Sequence, residues 1–508
     1  MEEKKISFYT IYLLGGPSMK KIAIIGAGPG GLAAGMLLSK QGYHVDVYEK
    51  DQYLGGRSQP LFLGDFKFDT GPTFFMFKEI LEEVFEKSGY KLDEEIEFNK
   101  LDPLYRLIFN DVTLEPTMDA QVNYKMYENY HKGTGEAYLK WRSIQEEKLI
   151  RLTPLLKRPF SSLFDYLKKD TFHALPIIHP FQSIYKSLYK LDQTGPFIHS
   201  LSFQSKYLGM SSHQAPSAFS FLSYLEHGYG LFHTKGGLNK IHEKMGELIE
   251  KNNGHIYVNT PVDKVLVKNK QAYGISVKGK DVMYDDVIIN ADFSYAMTHL
   301  FDDQDLNKYK SRKLEKKEYS VSTMNIYLGL DQVFDFAHHQ VVFSDNYENY
   351  LEKLLNGEFT DDLSFYIHNP SIIDDQMAPN GKSALYILAP IPNLKSHQDW
   401  DAYQKEVEKK IYQSIKDKLN IDIKPHIIEK KIITPKDWEM NYNVYLGAVF
   451  NLSHKLSQMM YYRPHNQFED VNHVYLVGGG THPGSGLPTI YQSALIVSDL
   501  LKKRDDLK

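Results

Sequence analysis

Cysteine is missing from the chain altogether, which excludes a disulfide framework, a thiolate metal site and cysteine nucleophile chemistry together. Long apolar runs are missing too: no stretch of 18 or more residues has the hydrophobicity of a membrane-crossing helix. Neither sign of charge dominates, with 59 Lys and Arg against 64 Asp and Glu and a net charge of −5. The global basic field of a dedicated nucleic-acid binder is therefore absent, and no nucleic-acid partner is expected. The 20 histidines fall in no H-E-x-x-H or other metal-ligand spacing, the pair His338 and His339 reads as surface, and no metal is expected. Tryptophan is scarce at 3 residues, whereas 36 Tyr and 28 Phe supply apolar surfaces with polar handles.

What is present is enough chain, 508 residues, for two or three domains or one large discontinuous pair. Hydrophobic residues at 42% and charged residues at 24% are those of a globular protein rather than a disordered or membrane-embedded one. Residues 1–18 carry an apolar run from Ile6 to Leu14, but Glu2 and Glu3 offset Lys4 and Lys5 and no small-residue cleavage site follows. The expectation is a floppy or over-long leader with Met19 as the natural start; a targeting segment and a structured extension are the alternatives.

Lys21 to Ile25 is almost wholly apolar, as a buried parallel strand should be. Gly26, Gly28 and Gly31 follow in G-x-G-x-x-G spacing, then a helix carrying Leu32, Met36 and Leu37 that stops by Gly42. A second strand, "HVDVYEK", brings in Glu49, 23 residues past Gly26. Gly26 permits the tight turn, Gly28 lets backbone amides approach a pyrophosphate, and Gly31 lets the helix pack close so that its positive end faces the phosphates. An acid at this separation meets the ribose hydroxyls of a dinucleotide. Just beyond it, Lys50, the glycine pair Gly55 and Gly56, and Arg57 bring more amides and cations to the same place. That arrangement suits a long dinucleotide buried inside the protein better than a nicotinamide cofactor.

A second glycine-packed turn, "VYLVGGGTHPGSGLPTIYQSA", lies about 450 residues downstream. Val474 to Val477 reads as a strand, Gly478 to Gly480 as a close approach, and Pro488 as the first turn of a helix whose Ile490, Ala494, Val497 and Leu501 share one face.

Taken in order, "IAIIGAGPGGLAAGMLLSKQGYHVDVYEK", "LGGRS", "FDTGP", "LDPLYRLIF", "SFQSKYLG", "YLEHGYGLFHTKGGLNKI", "VIINAD" and "VGGGTHPGSGLP" resemble the bacterial carotenoid phytoene desaturases and their dehydrosqualene desaturase relatives. The likeness runs from about Lys20 to Leu501, and "GTHPGSGLP" is its most specific part. The resemblance implies a mixed α/β, amine-oxidase-like fold: a Rossmann-like FAD domain assembled from residues 19–89, 231–296 and 465–508, and a substrate and membrane-associating domain of mixed sheet and helices from residues 90–230 and 297–464. FAD is the implied cofactor. Its pyrophosphate would lie on Gly26, Gly28 and Gly31, with Glu49, Lys50, Gly56 and Arg57 around the adenosine half. Val262 would meet adenine through its backbone, with Asn290 close to the same half. Gly479, Gly480, Leu487, Pro488 and Thr489 would contact the flavin end through their backbone. Where many related flavoproteins place an acid for the ribityl chain, this sequence has Gly480.

The implied substrate is an apolar polyene of C30 or C40 length, of the phytoene or dehydrosqualene type, and the implied reaction is hydride transfer to flavin with loss of a neighbouring proton. No base is identified, and Phe197 and Ile198 stand where the family often has Leu-Arg. A carotenoid has no hydrogen-bonding group, so its site must be a long apolar tunnel. "LSFQSKYL", "APSAFSFLSYL", "STMNIYLGL" and "YLGAVFNL" are candidate linings, each equally readable as ordinary core. Lys148 to Lys190 holds eight basic residues against two acids, interleaved with Leu, Phe, Tyr and Pro. That pattern suits an interfacial surface at the inner face of the cell membrane, or a solvated helix pair. Oligomerisation stays open. Alternatives are an aldehyde-forming oxygenase or an isomerase of the same family, and, in another class, a non-catalytic prenyl-lipid carrier of the GDP-dissociation-inhibitor kind.

Overall fold

A computed structural model describes residues 19–179 and 181–507, so the reading of residues 1–18 as a leader lies outside the described residues. Five short apolar segments form one parallel sheet, in the order His255–Tyr257, His44–Tyr48, Lys21–Ile25, Asp286–Ile289 and Val474–Leu476. Ile22 to Ile24, Val45, Val47, Val287, Ile288 and Val474 have essentially no exposure, because helices or loops cover both faces of the sheet. That double burial is why these strands read as continuous apolar runs rather than alternating ones. The register sets Ile25 beside both Tyr48 and Ile289, and Ile289 beside Leu476, so the four strands end level and their loops emerge at one edge.

Two helices leave that edge. Pro29–Lys40 is buried from Gly30 to Ser39, and Leu487–Asp506 packs against it. The second helix is not one-faced as its spacing suggests: Tyr491 to Ser498 is buried without a break, because the helix is wedged between the sheet and its neighbours. Arg504 locks its far end to the sheet through Asp286, donating to Oδ2 at 2.7 Å. Residues 262–283 form a three-stranded antiparallel meander, Val262–Lys268, Gln271–Val277 and Lys280–Met283.

A separate seven-stranded sheet has the order Ile427–Ile433, Ser322–Leu330, Ser383–Ile391, Phe365–His368, His339–Val342, Arg106–Ile108 and Thr113–Leu114. All nine residues of Ser322–Leu330 are buried, including the polar Ser322, Thr323 and Asn325. Helices such as Thr134–Leu156 and Phe221–Tyr229 build the opposite wall, and the largest apolar cluster lies between that wall and this sheet. The whole is a mixed α/β architecture of helices and several sheets.

Candidate active site

The two glycine turns meet on one side chain. Asn290, just past the strand Asp286–Ile289, donates from Nδ2 to the Gly26 carbonyl at 3.1 Å. A Cβ added at Gly28 would lie 2.8 Å from Asn290 Nδ2, one at Gly30 would lie 2.7 Å from its Oδ1, and one at Gly478 would lie 3.1 Å from the same oxygen. Gly31 is tighter still, 2.2 Å from the Gly26 carbonyl oxygen. Gly26 and Gly478 adopt φ of +98° and +103°, which side chains other than glycine rarely tolerate. Both turns are thus stripped of side chains where they pack on Asn290, which brings their backbones close together at the cavity wall, lining a groove.

On the N-terminal side, Glu49 is buried and accepts from the Ala27 N–H at 2.8 Å and the Asp51 N–H at 3.0 Å. Burial pushes its carboxyl up from the ordinary range, and those two amides pull it back. Gly55 donates to the Ala27 carbonyl at 2.8 Å, and Gly56 sits against the Gly28 backbone, so the second glycine pair packs directly on the first turn. Lys50 donates to both Asp51 oxygens and to the Asn441 carbonyl at 2.7 Å. Val262 opens the antiparallel meander beside the same groove.

Arg57 reaches inward to the Val449 carbonyl and faces Asp292. In the amide orientation that satisfies both neighbours, Asn451 donates to Asp292 Oδ2 at 2.7 Å and accepts from Arg57 at 3.3 Å. Burial lifts Asp292 to about 6 against the pull of Arg57, and burial likewise lowers Arg57. This Arg57–Asn451–Asp292 set lies beside Gly480, whose added Cβ would strike Phe293 at 2.5 Å.

The C-terminal turn is braced from behind by groups with no motif in the sequence. Arg463 is fully buried and donates to the Gly479 carbonyl at 2.6 Å and the Thr481 carbonyl at 3.0 Å. Ser493 accepts from the Gly478 N–H at 2.9 Å, and Asn466 donates to the His482 carbonyl at 2.8 Å. Gly486, with φ of +116°, precedes the helix in which Leu487, Pro488 and Thr489 form the first turn. The Thr489 hydroxyl is occupied by the Gly484 and Gly486 carbonyls, so this helix start presents backbone amides to the groove. Neither Arg463 nor Asn451 stands at a spacing that sequence periodicity reports: Arg463 reaches across a loop to the turn, and Asn451 to Asp292 and Arg57, far along the chain.

One continuous cavity of about 510 Å³ runs from this groove into the second half of the molecule. Gly26, Gly28, Glu49, Lys50, Gly56, Arg57, Val262, Asn290, Gly479, Gly480, Leu487, Pro488 and Thr489 all line it; Gly31 stands behind the turn. At the far end the walls are Leu149, Leu156, Phe203, Leu208, Phe221, Leu222 and Leu225 on the helical side, and Val341, Phe365 and Leu388 on the sheet side. All four candidate tunnel segments contribute: Phe203 and Tyr207, Phe221 and Leu225, Thr323 and Asn325, and Val449 and Phe450. The carboxylates that line it, Glu49, Asp51 and Asp292, sit at the groove end. Behind the far wall Glu226 accepts from Tyr207 at 2.9 Å, Gln204 at 2.7 Å and Tyr105 at 3.0 Å, and burial raises it to about 7. Lys206 lines the cavity without a carboxylate partner among the described residues, and burial lowers it to about 7.

Two readings of the sequence are corrected here. His338 and His339 are buried, 8% and 2% exposed, because they enter a strand flanked on both sides within the seven-stranded sheet. Lys148 is no surface cation: it is 2% exposed and donates to the Ser217 carbonyl at 2.7 Å and to Ser220 at 2.8 Å.

The residues present fit FAD: a groove lined by the backbone of two glycine turns packed on Asn290, a buried carboxylate at one end, a helix N-terminus at the other and an apolar cavity beyond. The model of the family "Flavin containing amine oxidoreductase" matches residues 29–501. The chain belongs to that family of FAD-dependent oxidoreductases, and within it to the bacterial carotenoid desaturases. It is 43% identical over 489 residues to a 4,4'-diapophytoene desaturase (4,4'-diapolycopene-forming) of Methylomonas sp, covering 96% of each chain. It is 31% identical to the 4,4'-diaponeurosporene-forming 4,4'-diapophytoene desaturase of Staphylococcus aureus, covering 95% of this chain and 99% of that one. Among solved structures, putrescine oxidase bound to putrescine shares the fold with a TM-score of 0.63 at 13% identity, over 96% of this chain and 99% of that one.

Proposed function

We propose that this protein is an FAD-dependent desaturase of a linear C30 polyene precursor of the 4,4'-diapophytoene (dehydrosqualene) class. The observation that carries the reading is the single cavity joining the two-turn groove to an apolar chamber. The C30 assignment rests on the names of the two desaturase relatives. When bound, FAD supplies the two-electron acceptor: a hydride leaves an allylic carbon for it, the adjacent carbon loses a proton, and one conjugated double bond results.

The chain's own part is to hold and to exclude. Gly26 to Gly31, Glu49 and Val262 would grip the adenosine and pyrophosphate half, and Gly479, Gly480 and the amides of Leu487 and Thr489 the flavin half. The helix N-terminus at Leu487 favours negative charge gathering on that end during reduction. Leu149, Phe203, Phe221 and Leu225 keep water from the substrate chain. No carboxylate among the described residues lines the apolar end, so proton removal there falls to a weak acceptor, sufficient where the developing cation is delocalised.

No helix among the described residues is long and apolar enough to cross a membrane. A peripheral attachment to the inner face of the cell membrane is supported by an exposed patch: Ile150, Leu163, Phe164, Leu167, Phe172, Leu175 and Phe181 stand out, Phe164 at 77% and Phe181 at 98% exposure. Lys157, Lys168, Lys169, Lys186 and Lys190 are exposed around them, and apolar side chains ringed by lysines suit an anionic bilayer surface.

The test is pigment analysis of two strains expressing this chain, one with a dehydrosqualene synthase and one with a phytoene synthase. Conjugated polyenes from the first strain alone are expected. Colour only in the second overturns the C30 assignment, and a terminal aldehyde product in place of new double bonds would favour the oxygenase reading of the same cavity.

A further inference from the structure

Four histidines from three separate stretches of sequence, His233, the adjacent pair His338 and His339, and His368, crowd together behind the cavity wall. His339 and His368 are direct partners on adjacent antiparallel strands, with nearly parallel rings 5.1 Å apart. His338, the residue before that strand, sets its ring edge-on to His368 and to His233, each at 4.9 Å. His233 belongs to the strand Leu231–Thr234, which lies in a different sheet. The side-chain ligand atoms of His233, His338 and His368 all fall within 4.8 Å of one another, and all three rings are buried.

Their nitrogens are left without protein partners. His233 Nδ1, both ring nitrogens of His338, His339 Nε2 and His368 Nε2 are buried and make no hydrogen bond among the described residues. Polar atoms so enclosed are costly unless something binds them. The other nitrogen of His233 is engaged: Nε2 pairs with Asp374 Oδ2 at 2.7 Å, while Asp374 also accepts from the Gly236 N–H at 2.6 Å and the Gln376 N–H at 3.0 Å. A carboxylate held in place and hydrogen-bonded to the far side of an imidazole is the arrangement that orients metal-ligating histidines. The neighbouring His339 is held in place through its Nδ1 by the Tyr366 hydroxyl.

We propose that His233, His338 and His368 form a binding site for a divalent transition metal of the zinc class, which clamps the strand Leu231–Thr234 to the seven-stranded sheet. Three imidazoles suit Zn²⁺ and exclude the oxygen-seeking Mg²⁺ and Ca²⁺. Tetrahedral Zn²⁺ with Zn–N bonds near 2.0–2.1 Å holds its ligand nitrogens about 3.4 Å apart. The ligand atoms here lie within 4.8 Å of one another, so binding would draw them together by up to about 1.4 Å. Phe74 and Tyr366, which line the cavity, stand between it and His339, so the site is structural and separate from the redox groove.

The experiment uses untagged, FAD-loaded protein from cells supplied with Zn²⁺, desalted and assayed for metal by mass spectrometry. One equivalent per chain is expected, with a drop in melting temperature on chelation that added Zn²⁺ restores. Protein produced with Co²⁺ is expected to show ligand-field bands of a nitrogen-ligated tetrahedral ion, a readout that needs no variant. His338→Asn and His368→Gln, checked for retained FAD as a sign of folding, are expected to lose the metal. Wild-type protein with full FAD that carries neither Zn²⁺ nor Co²⁺ overturns the proposal, as does a folded variant that keeps the whole equivalent. Either result would leave the flavin reading untouched.

Discussion

Replacing Gly31 by alanine is the sharpest probe of the two-turn groove. The added methyl would sit 2.2 Å from the Gly26 carbonyl oxygen, 3.0 Å from Asn290 Nδ2 and 3.1 Å from Asn290 Cβ, where ordinary contact begins near 3.4 Å. The first obstacle is backbone, fixed by the hydrogen bond from Asn290 Nδ2, so no flexible side chain can swing aside. The helix Pro29–Lys40 must therefore retreat by about 1 Å from the strand end, and overpacking of this kind costs about 1–3 kcal/mol. That helix carries the amides that would face the pyrophosphate, and each 1.4 kcal/mol is a factor of about ten in affinity. Gly31→Ala is thus expected to weaken FAD binding by roughly 5- to 150-fold and to lower the melting temperature. Titration calorimetry on deflavinated protein and circular dichroism melts measure the two effects. Gly195→Ala is the control, because its nearest neighbour would be His199 Nε2 at 3.7 Å. Wild-type FAD affinity and stability in Gly31→Ala would refute the claim that the turn and Asn290 are packed to contact.

Further expectations concern other parts of the molecule. Glu226 has a folded-state value near 7 against an ordinary 4.5, so between those pH values the folded chain holds a proton that the unfolded chain has released. Its contribution to stability is therefore full below about 4.5 and is lost as pH rises towards 7, and Glu226→Gln should flatten the melting temperature against pH over that window. FAD at 100 times its Kd should stabilise the protein by about 2.7 kcal/mol, and an unchanged melting temperature on adding FAD would contradict the site. A combined Phe164→Asp and Leu167→Asp variant should lose sedimentation with anionic vesicles while retaining its flavin absorbance; unchanged binding would remove this patch from the membrane reading. Arg463→Met should loosen the Gly479–Thr481 carbonyls and leave them short of a donor, seen as a lower FAD affinity and a lower melting temperature, each bond lost costing about 1–3 kcal/mol.

Local chemistry made much of the groove legible without coordinates. A glycine at positive φ, a proline in a first helical turn and an apolar run for a doubly covered strand are each written in a few adjacent residues, and Gly26, Glu49, Gly479 and Pro488 all line the cavity. The tunnel linings were harder, since apolar residues on a cavity wall and in a core obey the same pattern; only packing separates Leu225 from its neighbours. Surface and interior were misread for His338, His339 and Lys148, because polarity alone predicts exposure, and burial with partners is decided by elements far along the chain.

By itself, then, the sequence determined the two backbone turns and the acid beside the first, features that a short peptide's own stereochemistry imposes. Tertiary structure alone decided that Asn290 would join those turns, that Arg463 would brace the second from behind, and that four histidines from three strands would meet in a sealed space. Such juxtapositions depend on which buried surfaces find each other when the sheets pack, and that information is spread over the whole chain rather than carried by any one stretch of it.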